Sequence, residues 1–174
     1  MKKRIIYVLL FLGVLIISSC STLKNNSSHT ANKGDKKRAQ YAEKLGFDLA
    51  KGFNGDLIQE VISWLGTPYV YGGESKSGTD CSGFVQQVYK VVYGISTARS
   101  ANGIYEECTK VKKNQLKQGE LVFFKINTTK VGHVGIFLQD TYFIHASSSK
   151  GVMVSSLDLD YWTKYFISGG KLNE

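Results

Sequence analysis

The chain has 174 residues, 43% of them hydrophobic and 12% aromatic, which excludes a disordered or fibrous polymer and fits one modest domain with extensions. The formal net charge of +8 raises the question of a nucleic-acid ligand, but its distribution argues against one. Lys2, Lys3 and Arg4 carry +3, residues 21–52 carry seven Lys or Arg against three acids, and residues 53–174 carry twelve against eleven. A nucleic-acid domain concentrates charge on a folded face, and the folded part here is nearly neutral.

The N-terminus reads as a processing signal over residues 1–19. Met1-Lys2-Lys3-Arg4 is a basic start, and Ile5 to Ile17 is an apolar run of signal-peptide length, short for a membrane span. It ends in Ile17-Ser18-Ser19-Cys20, which resembles a bacterial lipobox: a branched aliphatic, two small residues, then the cysteine that is acylated. Cys20 is therefore expected to carry lipid, and two or more acyl chains give stable attachment. Residues 20–40 read as a lipidated, flexible tether, because Ser21 to about Arg38 is rich in Ser, Asn, Lys and Gly. The domain then spans residues 41–174.

Tyr41, Leu45 and Leu49 at four-residue spacing predict a first helix ended by Gly52. Asp56 can cap a second, with Leu57, Ile58, Val61, Ile62 and Leu65 on one face, stopped by Gly66-Thr67-Pro68. Tyr69 to Thr79 reads as a loop. Asp80 reads as the N-cap of a third helix whose apolar stripe is Phe84, Val85, Val88, Val91 and Val92, ended by Gly94. Ser100 can cap a short helix through Cys108.

Beyond this point the pattern turns strand-like. Leu121 to Phe124 follows a Gly119-Glu120 turn, and His133–Leu138 with Tyr142–Ala146 read as a hairpin around Gln139-Asp140. Val152 to Leu157 and Tyr165 to Ser168 read as later strands. Helices first and strands later predict an α+β domain.

Three segments carry the chemistry. In Asp80-Cys81-Ser82-Gly83-Phe84, a cap at Asp80 places Cys81 in the first turn of a helix. Unpaired N–H groups and the positive dipole end favour a thiolate there, and the same N–H groups suit an oxyanion. Gly83 would let a substrate backbone come close. His133, in Gly132-His133-Val134-Gly135, and His145, in Phe143-Ile144-His145-Ala146, are the histidines of the folded region, since His29 falls in the tether. They share a sheet face as opposite partners if the hairpin turn centres on Gln139; a slip of one residue would separate them. On one face, His133 can serve as base for Cys81 while His145 fixes its tautomer.

The runs Gly66-Thr67-Pro68-Tyr69-Val70-Tyr71-Gly72-Gly73, Asp80 to Val85, Leu121 to Phe124, Gly132 to Ile136 and Phe143 to Ser147 together resemble the NlpC family of papain-like cell-wall peptidases. The resemblance covers about residues 56–168. It implies a papain-like core of N-terminal helices on a mostly antiparallel sheet, with Cys81 as nucleophile, His133 as base and His145 as the orienting third member. It also implies a cysteine endopeptidase that cleaves D-amino-acid-containing bonds in peptidoglycan stem peptides or cross-links. Tyr69 matches the tyrosine beside the nucleophile, and Asp80 and Ser82 match positions that contact the stem peptide. Arg99-Ser100 resembles a segment after the catalytic helix, with Ala98 in place of its usual proline; both substrate contact and a structural ion pair are open to Arg99. Among family members, the short Gram-negative lipoproteins that cut cross-links are the more similar.

This reading expects no metal, no cofactor and no nucleic acid. It expects a monomer lipid-anchored in the cell envelope, on the outer membrane facing the periplasm. A zinc hydrolase using Cys81, His133 and His145 is the competing chemistry, with three ligands and a water; no Glu lies near to act as base. Cys108 is expected to be a free structural thiol, since a bond to Cys81 would remove the nucleophile.

Overall fold

A computed structural model describes residues 27–126 and 129–172. The expected signal segment and Cys20 lie outside the described residues. Among those described, no helix is long and apolar enough to cross a membrane.

The first helix, α1, spans Ser27–Leu45. It begins well before Tyr41 and runs through residues read as a flexible tether. Lys36, Lys37, Arg38, Ala39 and Gln40 are good helix formers, but four of the five are polar and give no apolar stripe to mark the helix. Tyr41 and Leu45 enter the core. Gly46, at φ +80°, ends the helix, so Leu49 lies beyond it, buried but outside any helix or strand.

Helix α2 spans Gly55–Trp64 and is capped by Asn54, whose side chain accepts from the Leu57 N–H, and not by Asp56. It buries Leu57, Ile58, Val61 and Trp64. The stretch read as a loop contains a two-stranded hairpin, β1 (Glu74–Ser75) and β2 (Gly78–Thr79). Helix α3, Cys81–Tyr93, is capped as expected by Asp80 and ended by Gly94 in the left-handed region. Its buried face is Phe84, Val85, Val88 and Tyr89; Val91 is 64% exposed, outside the expected stripe. Helix α4, Ala101–Glu107, carries the expected Ser100 cap.

The sheet has six strands: β3 (Cys108–Val111), β4 (Leu121–Phe124), β5 (His133–Gln139), β6 (Tyr142–Ser147), β7 (Gly151–Ser156) and β8 (Phe166–Leu172). Their order is β3-β8-β4-β5-β6-β7 and all pairings are antiparallel. Besides the β1–β2 hairpin, the sequence pattern does not show β3, which is short and half polar, or α5 (Asp160–Tyr165), between β7 and β8. The helices pack on one face around Phe84, Ile58, Phe123, Ile136 and Ile144; α5 covers the other with Trp162 over Val122, Phe124, Phe137 and Phe143. The architecture is the expected α+β arrangement of helices on an antiparallel sheet.

The hairpin register differs from the simple expectation. Ile136 pairs with Ile144 and Phe137 with Phe143, and an irregularity follows before Gln139 pairs with Tyr142. Continuing the regular pairing by one step sets His145 against Gly135, not against His133. The histidines are therefore diagonal neighbours, still on one face because His133 and Gly135 are two positions apart on β5.

Candidate active site

Cys81 is the first residue of α3 and is 7% exposed. Burial pushes its thiol up to about 11, against hydrogen bonding from the main chain at Val134, Ser82 and Cys81 itself, which favours the thiolate; the Asp80 charge adds to the rise. Val134 follows His133 directly on β5, so the β5 main chain next to His133 lies against the start of α3.

His133 Nε2 lies 2.9 Å from His145 Nδ1, and His145 Nε2 lies 3.0 Å from Ser155 Oγ. Ser155 is set as His133 is: His145 pairs with Met153 across β6 and β7, and Ser155 is the diagonal neighbour. A chain of polar groups thus crosses three strands. With a proton on Nε2 of each imidazole, His133 donates to His145 and His145 donates to Ser155. That assignment leaves Nδ1 of His133 as the basic nitrogen.

Aromatic rings wall this chain in. Trp162 stacks on His133 at 5.5 Å and 24°, and meets His145 edge-on at 4.7 Å. Phe143 stacks on His145 at 5.1 Å. Burial drives the His133 imidazole down to about 4, and burial with the nearby His133 holds His145 well below its usual value. Both rings rest neutral.

Cys81 opens onto a cleft of about 750 Å³ lined by Tyr69, Tyr71, Ser82, Arg99, Lys130 and Gly132, among others. Tyr69 is half-buried; burial first, then the Cys81 and Asp80 charges, raise its phenol pKa. Tyr71 stands 91% exposed at the rim. Asp80 and Ser82 line the cleft too, but their polar atoms bond within the chain. Asp80 accepts from the Gly72 and Gly83 amides, from Ser82 Oγ and from Arg99. Burial alone would raise the Asp80 carboxyl; Arg99 and the two amides outweigh it and hold it low. Gly83 does not make room for substrate. A Cβ there would strike the Gly73 carbonyl and press on Arg99, so the glycine lets the hairpin loop close on the helix.

Cys81 and Cys108 are both free thiols. Cys108 is buried on β3, where burial raises its thiol to about 11. Among the described residues no group of three or more His, Cys, Asp or Glu is placed to hold a metal ion. Both ring nitrogens of His145 already have partners, which leaves it no lone pair for a metal.

Sequence reasoning missed Ser155 and Trp162. Ser155 could have been found from strand alternation once the β6–β7 register was known. Trp162 sits in a helix too short for a periodic signal, and nothing in its spacing links it to His133.

The cysteine at a helix start, the paired histidines on adjacent antiparallel strands and the helix-on-sheet layering define a papain-like cysteine hydrolase fold. Residues 66–171 match the NlpC/P60 family, and the chain belongs to that family. It is 45% identical over 111 residues to the probable endopeptidase NlpC of Escherichia coli, covering 63% of this chain and 72% of that protein. It is 33% identical over 158 residues to the Escherichia coli murein DD-endopeptidase MepS/murein LD-carboxypeptidase, covering 87% and 84%. Among solved structures, the NlpC/p60 domain of the peptidoglycan hydrolase SagA superposes with a TM-score of 0.59 at 31% identity, over 67% of this chain and 97% of that one.

Proposed function

We propose that this protein is a peptidoglycan hydrolase, a cysteine peptidase that cleaves D-amino-acid-containing bonds in stem peptides or cross-links through an acyl-enzyme on Cys81. The observation that carries the reading is the polar chain from His133 through His145 to Ser155 behind a thiol at a helix N-terminus. The similarity to murein endopeptidases supplies the substrate class.

The thiol and imidazole rest in their neutral forms, so proton transfer accompanies attack. As Sγ of Cys81 bonds the scissile carbonyl carbon, its proton moves to Nδ1 of His133. The imidazolium keeps its Nε2–H on His145, which stabilises the charge and holds the ring. Main-chain N–H groups at the start of α3 face the developing oxyanion. Collapse expels the amine, which takes the proton from His133 and leaves a thioester. His133 then draws a proton from water as its oxygen attacks, and the acid and free thiol result. Tyr69, Asp80 and Ser82 form the wall along which the stem peptide lies.

The protein is further proposed to be a lipoprotein, acylated at Cys20 and held in the cell envelope on the outer membrane, acting as a monomer. The Ile17-Ser18-Ser19-Cys20 pattern supports this. Mass spectrometry of products from purified peptidoglycan tests the substrate. Loss of cross-linked muropeptides with matching gain of monomers is expected if the bond lies between diamino acid and D-alanine. Cleavage between D-glutamate and diamino acid would place the enzyme in the stem. Intact stem peptides and cross-links would overturn the proposal.

A further inference from the structure

Arg99 has five N–H donors, and all five are used within the chain. Nε meets Glu74 Oε1 at 2.5 Å, and Nη1 reaches Asp80 Oδ1 at 2.9 Å and Ser82 Oγ at 3.0 Å. Nη2 reaches the Gly73 carbonyl at 3.1 Å and Asp80 Oδ2 at 3.0 Å. An arginine that anchors a substrate carboxylate needs a pair of donors facing the cleft. Arg99 keeps none, so substrate contact is the poorer of its two readings.

Its position addresses a conflict at the start of α3. Asp80 is a strong N-cap and donates no proton of its own, but it puts a carboxylate beside the residue that must become a thiolate. Like charges oppose each other, and the opposition grows away from water. The groups around Cys81 are few. Asp80 caps α3 just before it, Tyr69 and Tyr71 lie on the preceding loop, and the β5 main chain at Val134 lies against it, with His133 next along that strand and bonded to His145. Lys130 stands on the far rim, and Glu74 lies beyond Arg99 on β1. Of the cations, Arg99 is the one bonded to both oxygens of Asp80.

We propose that Arg99 is a positioning residue that neutralises the Asp80 cap, so that one helix start holds both a carboxylate and a nucleophilic thiolate. It also ties β1 and the Gly73 carbonyl to that start, fixing the cleft wall. The proposal rests on Cys81 being the nucleophile.

The test reads Cys81 directly, without peptidoglycan. The rate of iodoacetamide alkylation is followed across pH by mass spectrometry of the Cys81-containing peptide, which separates it from Cys108. Arg99→Gln is expected to move the alkylation midpoint upward by about one pH unit, a loss of about tenfold in rate at fixed pH. Adding Asp80→Asn, which keeps a good cap, should return the midpoint to the parent value or below. Arg99→Lys should keep the parent midpoint while turnover falls, because the charge stays and the fork of donors is lost. An unmoved midpoint in Arg99→Gln would overturn the proposal. So would a double variant no closer to the parent, or an Arg99→Lys profile shifted like Arg99→Gln. Should Arg99→Gln fail to fold, the Arg99→Lys midpoint decides. If Cys81→Ala left hydrolysis intact, the nucleophile assignment would fail separately from this one.

Discussion

Cys81 is a buried thiol at the positive end of a helix, and these two facts pull its ionisation in opposite directions. Burial wins at rest, and the same burial keeps His133 neutral near pH 7. A base works only while unprotonated, so activity should persist into mild acid. With His133 held down to about 4, the acid limb of kcat/KM is expected to fall near pH 4 to 5, measured on a soluble stem-peptide substrate. A limb at or above the ordinary imidazole value would contradict the burial argument. The relay makes a second prediction at this scale. Ser155→Ala removes the last acceptor and should reduce kcat by about tenfold with KM little changed, whereas His145→Ala removes the orienting group and should cost about a hundredfold or more. Equal, small effects from both would mean that the chain does not act through His133. Cys81, the proposed nucleophile, and both histidines were legible in the sequence because motif and spacing mark them. Arg99 was not, because its role depends on two loops meeting the start of α3, and no local pattern encodes that meeting.

Among the elements, legibility followed periodicity and caps. The Asp80 and Ser100 caps and the αL glycine at Gly94 gave α3 and α4 their ends, since these residues satisfy orphan backbone groups through their own chemistry. Helix α1 was misplaced because most of its length is polar on every side, and α5 and β3 because they are too short to show a period. The β5–β6 register escaped because the irregularity near Gln139 shifts the pairing, which changed opposite partners into diagonal ones. That register leaves no room at Gly135. A Cβ there would lie 2.8 Å from the Ile144 carbonyl oxygen and from Phe143, and 3.2 Å from His145 Cβ. Gly135→Ala should force β5 and β6 apart, lowering stability by about 1–3 kcal/mol and activity by more than that loss explains. Urea unfolding beside kcat at a temperature where the variant is folded checks it. Full activity would show that the two histidines tolerate a displaced strand.

Two buried neutral histidines, His133 and His145, and the low Asp80 carboxyl make the fold acid-labile. An unfolded His133 takes a proton near pH 6.5 while the folded one resists until about 4. Stability is therefore complete above 6.5 and declines as pH falls toward 4, by about 2 kcal/mol at pH 4.5 from His133 alone. His145 acts in the same direction, and Asp80, held low, loses its contribution only at more acid pH. Urea midpoints at pH 7.5 and 4.5 test this; equal midpoints would contradict it. At the same scale, Cys20→Ser should move the protein from the membrane fraction to the soluble fraction, and unchanged fractionation would refute the lipid anchor. The central claim is that Cys81 performs the hydrolysis. Its most direct measurement is the release of soluble muropeptides from purified peptidoglycan by the parent protein and by Cys81→Ala, with circular dichroism confirming the fold. The account predicts release by the parent and none above background by the variant, and release by both at comparable rates would contradict it.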